Sequence, residues 1–297
     1  MESNTSILNK NDLRSPVVLG FIGVYILAVV LVLLNEPGNA LAYVGLSIGI
    51  LFLCWLVIQL TKRIEVDEVE IGRPGLELLA GLLILVVWDL LPLPGIDFGD
   101  KWHLGFILKK SILLVGLPFL FLRIRKNSLA CMGLTARNWK KNFWVGFLIF
   151  LAMAVPSGFF VGKTGSEIFS GEYTVAQFGV GFFVSFIYYL FMSGFSEEFF
   201  YRGFIQRRIS HLLKSSAGGV LATSLIFGLL HIPNIMRWYP GTTIGEAFSR
   251  ALFLQTFLGV LFGTLWERTR SLIPGVLVHS GVNGLNNVSD IVSKLVA

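Results

Sequence analysis

Stretches of apolar residues about as long as a membrane-crossing helix alternate along the chain with short polar, often basic, connections. The apolar stretches fall at 16–34, 40–60, 75–93, 105–122, 143–162, 175–200, 217–232, 248–266 and 272–292. Most approach the ~20 residues that a helix needs to cross the hydrocarbon, so the pattern predicts an all-α, polytopic transmembrane helix bundle with eight or nine spans. Two stretches are imperfect: Lys109 and Lys110 interrupt the fourth, and Asn283, Asn286, Asn287 and Asp290 dilute the ninth.

Composition agrees with a lipid solvent. Of 297 residues 54% are hydrophobic and 14% charged, with a mean hydropathy of +0.73, against about 25% charge in an ordinary globular chain. The chain reads as one membrane domain, with N-terminal helices over residues 1–142 and a core carrying the chemistry over 143–297. The net charge of +6 does not point to nucleic acid, because the basic residues cluster in connections rather than on a stripe with stacking aromatics. Alternate connections hold 17 of the 24 Lys and Arg. That asymmetry predicts a cytoplasmic N-terminus and a cytoplasmic 123–141 loop in a prokaryotic plasma membrane. The first apolar stretch is longer than the ~7–15-residue core of a signal peptide and reads as an uncleaved span. Cys54 and Cys131 are far apart and indicate neither a disulfide framework nor a thiolate metal site.

Candidate chemistry sits where apolar helices carry ionisable groups. After the run Phe182 to Phe195 comes Ser196-Glu197-Glu198-Phe199-Phe200-Tyr201-Arg202, and a charge at a helix centre costs about 2.5–3.5 kcal/mol on insertion scales. Glu198 and Arg202 are four apart, close enough to pair on one helix face, which leaves Glu197 about 100° away and free for other work. The bland alternative is a helix that has reached the interface, with Arg202 snorkelling. His231 ends the seventh stretch, and His279 and Asn283 share a face of the ninth, as two donors converging on one oxygen require. Helix arithmetic puts Glu197 and His231 about 27 and 22 Å from a turn near 214–218, and His279 about 14 Å from the basic connection near 268–270. The three share a depth, in the cytoplasmic half, if the sixth helix projects past the hydrocarbon edge. Glu77, Asp89, Lys109 and Lys110 read as interfacial.

Three motifs, Glu197-Glu198-Phe-Phe-Tyr201-Arg202, Phe227-Gly-Leu-Leu-His231 and His279-Ser-Gly-Val-Asn283, resemble those of the CPBP family of intramembrane proteases. That family, formerly called the abortive infection family, includes the type II CAAX prenyl endopeptidases and relatives linked to bacteriocin immunity. The resemblance covers about 175–287 and implies an endopeptidase acting on a membrane-associated protein or peptide, lipidated substrates included. It makes Glu197 the general base with His231 helping to hold the water, and His279 and Asn283 the oxyanion donors. Glu198, Arg202, Tyr201 and Phe227 would be supporting residues. A metal-free reaction is the expectation; the alternative is zinc held by Glu197, His231 and His279, although no His-Glu-x-x-His is present. Against this stand a rhomboid-like serine protease using Gly194-Phe195-Ser196, a transporter with Glu77 and Asp89 on its ion path, and a catalytically silent scaffold or immunity protein.

Overall fold

A computed structural model describes residues 16–61, 71–90, 103–126, 129–156 and 173–296, together with 167, 170 and 171. Among these residues the structure is helical, with no strand. The main helices are α1 (Pro16–Asn35), α2 (Ala40–Leu60), α3 (Pro74–Leu90), α4 (Leu104–Ile124), α5 (Trp139–Pro156), α6 (Val175–Leu213), α7 (Ser216–Leu229), α8 (Ile232–Trp238), α9 (Ile244–Thr269), α10 (Ile273–Asn286) and α11 (Val288–Val296). Six of the described helical stretches are long and apolar enough to cross a membrane: Val18–Asn35, Pro37–Leu60, Leu104–Ile124, Val175–Leu213, Ser216–Arg237 and Ile244–Thr269. The protein is thus an all-helical, multi-pass integral membrane protein.

The eight or nine spans expected from sequence also counted the third, fifth and ninth stretches. Their helices do not reach that length and apolarity within the described residues. The ninth is two helices, because Asn287 breaks the ladder. Its backbone leaves the helical region and its side-chain amide donates to the Asn283 carbonyl at 2.8 Å, a local bond of the kind by which Asn competes with helix continuation. The sixth runs well beyond residue 200, through Leu213, before Lys214 takes a left-handed conformation and Ser215 caps α7.

By contacts the chain forms two compact units. One holds Met1–Leu79 and Phe204–Arg270, the other Ala80–Gly203 and Ser271–Ala297. In the first, Tyr25 and Tyr43 pack on Phe253, and α7 meets α9 where a Cβ on Gly259 would lie 3.0 Å from Ser224 Cα. In the second, α10 meets α5 where a Cβ on Gly146 would lie 2.7 Å from Pro274 Cα, and meets α6 where one on Gly284 would lie 3.1 Å from Phe186 Cα. Small residues at crossings let helix backbones approach, which in lipid replaces the hydrophobic driving force available in water.

Glu77 is not the solvated charge that its place near a helix end suggested. It is 1% exposed in the first unit and accepts from Arg208 Nε at 3.1 Å and Nη2 at 2.9 Å. Arg208, also 1% exposed, donates Nη1 to the Phe204 carbonyl, and its guanidinium lies 3.7 Å from the Phe204 ring centre. The partner is 131 residues away in sequence, so no local spacing reveals it. The side chain of Asp89, assigned to the interface with it, lies outside the described residues.

Removing one partner of such a pair strands the other charge at a cost of about 3–5 kcal/mol. Glu77→Ala is therefore expected to lower the unfolding midpoint in detergent sharply, and Glu77→Leu with Arg208→Met to recover most of the loss. Equal midpoints for Glu77→Ala and wild type would contradict the pairing.

Candidate active site

Within α6 the α-helical ladder gives way twice to π-helical turns, at Leu190–Gly194 and at Glu198–Gln206, on either side of Phe195–Glu197. Such turns re-aim side chains and occur often at functional sites. Glu197 and Glu198 stand at the join, 5% and 1% exposed. Here α6 and α10 run antiparallel, since His279 pairs with Glu198 while Asn283, one turn later, pairs with the earlier Ser193.

The His279 imidazole lies between the two carboxylates. Nδ1 is 3.0 Å from Glu198 Oε1 and Nε2 is 3.8 Å from Glu197 Oε2. A carboxylate only accepts, so Nδ1 carries the proton in this contact and Nε2 is the nitrogen that faces Glu197. Arg202 Nε lies 3.4 Å from Glu198 Oε2, the pairing expected from the spacing of four. Lys110, from α4, forms an ion pair with Glu197 Oε1 and donates to the Met192 carbonyl at 3.1 Å. Two carboxylates and two cations thus surround the ring. Asn283 donates its amide to Ser193 Oγ at 3.0 Å. Tyr201 packs edge-on against Phe200 and lies under the Arg202 guanidinium.

His231 and Phe227 belong to the first unit. Phe227 packs on the His231 ring with centroids 4.5 Å apart, and its carbonyl lies 2.7 Å from His231 Nδ1. The carbonyl fixes the tautomer with Nδ1 protonated, leaving Nε2 as the acceptor. This gives a physical reason for a Phe four residues before a His. Ser196 Oγ donates to the Ser193 carbonyl of its own helix, which offers a nucleophile no activating base.

Of the residues expected from sequence, the structure brings together Glu197, Glu198, Arg202, His279 and Asn283. Sequence reading missed Lys110 and Ser193. Lys110, assigned to the interface, is 7% exposed and faces Glu197. The only signal was a lysine pair inside an otherwise apolar run. The first of that pair, Lys109, bonds the Trp88 carbonyl and lies over its ring.

Glu197 meets an ammonium group and His279 Nδ1 a carboxylate, and among the described residues no three His, Cys, Asp or Glu side chains gather as ligands.

A buried carboxylate–imidazole cluster, its carboxylates on a helix of membrane-spanning length, defines the class: a multi-pass membrane protein with ionisable groups gathered among its helices. Residues 179–285 match the model of a protease family, described as type II CAAX prenyl endopeptidase Rce1-like. The matched segment contains all three motifs and leaves out α4. No curated protein and no solved structure matches the chain.

Gly275 presses against this cluster, since a Cβ there would lie 3.0 Å from Glu198 Oε2. Gly275→Ala is expected to destabilise by about 1–3 kcal/mol through overpacking. Shortening the carboxylate by Glu198→Asp should make the alanine markedly less costly. Unfolding midpoints of the two single variants and the double variant check this; simple additivity would place the strain elsewhere.

Proposed function

We propose that the protein is an intramembrane endopeptidase that hydrolyses a peptide bond of a membrane-associated protein or peptide, with Glu197 activating the water. The observation that carries this reading is the His279 ring set between adjacent carboxylates, each held by a cation of its own. Peptidase activity at the family level rests on the matched segment; the residue roles are those that the motif resemblance implies, and the contacts around Glu197 and His279 support them.

Glu197 takes a proton from water as the oxygen attacks the peptide carbonyl carbon. It returns that proton to the amide nitrogen as the C–N bond breaks, leaving a carboxylic acid and an amine, which exchange a proton to become carboxylate and ammonium. His279 and Asn283, one turn apart, stabilise the oxyanion of the tetrahedral intermediate. With Nδ1–H committed to Glu198, His279 donates to the oxyanion only as the imidazolium, and Glu198 then holds the second N–H. His231, the residue that the motif resemblance gives to holding the water, keeps Nε2 as an acceptor. Glu198 and Arg202 orient His279, and the reaction is written without a metal because Lys110 already supplies the positive charge at Glu197.

The finer topology belongs to the same reading. Helices α3, α5 and α10–α11 supply the crossings that bring the spans to eight or nine, the N-terminus is cytoplasmic, and lipidated peptides are among the substrates. The site then opens toward the cytoplasmic half of a prokaryotic plasma membrane.

A general base contributes about 10²–10⁴-fold, so Glu197→Gln should abolish detectable hydrolysis by protein reconstituted in liposomes. Comparing membrane proteomes of wild-type and Glu197→Gln cells should reveal precursors with untrimmed termini in the variant. Wild-type cleavage by Glu197→Gln would remove Glu197 from the base role, whereas a phenotype indifferent to the substitution would favour a silent scaffold. Activity that survives a strong chelator in metal-free protein is also expected.

A further inference from the structure

Among the described residues the three motifs account for every charged group of the cluster except one. Lys110 comes from α4, outside the matched segment 179–285, and still meets Glu197. A lysine this deeply buried is costly unless its charge is compensated. Here the compensation is specific. The ammonium reaches one oxygen of Glu197 and the Met192 carbonyl, and it also lies 5.1 Å from the Phe106 ring centre. Met192 sits in the π-helical turn Leu190–Gly194 that precedes the carboxylates. One side chain therefore ties the catalytic carboxylate to the irregular turn that aims it.

The two oxygens of Glu197 are thereby distinguished. Oε1 is taken by Lys110, while Oε2 faces His279 Nε2 at 3.8 Å. Glu198 has the same division, with Oε1 on His279 and Oε2 toward Arg202. Each carboxylate thus shows one oxygen to a cation and one to the imidazole. Without Lys110 the cluster would hold two carboxylates against a single guanidinium.

We propose that Lys110 is a positioning residue of the active site: it anchors Oε1 of Glu197 so that Oε2 is presented to the reacting water. Helix α4 thereby becomes part of the catalytic apparatus. This rests on the hydrolytic reading of the site.

The test uses four full-length proteins in the same liposomes: Lys110→Met, Lys110→Arg, Glu197→Gln and the double variant Lys110→Met with Glu197→Gln. Misplacement of a reacting group by an ångström costs about 10²-fold. Lys110→Met should therefore lower kcat by about that factor with little change in KM, and Lys110→Arg, which keeps a cation, should recover part of it. The unfolding midpoint should fall for Lys110→Met and rise again in the double variant, because a neutral Gln needs no ammonium. Full kcat in Lys110→Met, or a double variant no more stable than Lys110→Met, overturns the proposal. If Lys110→Met does not fold, a folded double variant supports the pairing and an unfolded one refutes it. Wild-type hydrolysis by Glu197→Gln would defeat the reading of the function instead, and the midpoints would still report on the pair.

Discussion

The arrangement depends on accommodating two adjacent carboxylates where water is scarce. Glu197 and Glu198 are neighbours in sequence and both nearly inaccessible. Like charges this close in a medium of low dielectric repel strongly unless each has its own compensation. The chain supplies two cations from different places, Arg202 from the next turns of α6 and Lys110 from α4. His279 separates the two oxygens that remain. Helix order, glycine placement and the π-helical turns can all be understood as serving that compensation.

The helix that carries the carboxylates is not regular. Its winding changes at Leu190–Gly194 and again at Glu198–Gln206, and from the join between these stretches the two carboxylates meet the two nitrogens of the His279 ring. Its partner helix α10 stays α-helical over Ile273–Asn286, and so keeps His279 and Asn283 in register one turn apart. π-helical turns also occur in α4, at Ser111–Gly116 directly after Lys110, and in α9 at Ala251–Gln255.

Much of this was legible in the sequence. Lipid as solvent follows from apolar runs of spanning length, and the spacing Glu198 to Arg202 announced an ion pair that the structure contains. What escaped was long-range pairing. Lys110 and Glu77 each looked like a charge at a helix end, because a residue's distance from an interface is estimated along its own helix. Their partners, Glu197 and Arg208, lie 87 and 131 residues away. No periodicity encodes such a meeting. The break at Asn287 was hidden for a different reason: hydropathy averages over a window, whereas one Asn amide bonding back to a carbonyl acts at a single residue.

The glycines around the cluster carry the remaining argument. Along α10 the residues turned toward α6 are Gly275, His279, Ser280, Asn283 and Gly284, facing Glu198, the two carboxylates, Gly194, Ser193 and Phe186 in turn. Small residues and chemical residues therefore occupy one seam. The small ones bring the two backbones close enough for an imidazole to reach carboxylates on the opposite helix. A larger residue at Gly194 would collide with Ser280 and push the helices apart. Separation of that kind would leave Glu198 and Arg202 paired within α6 but would lengthen every contact that crosses the seam. Packing and chemistry are then the same problem here: the crossing distance of α6 and α10 sets whether His279 can serve both carboxylates at once.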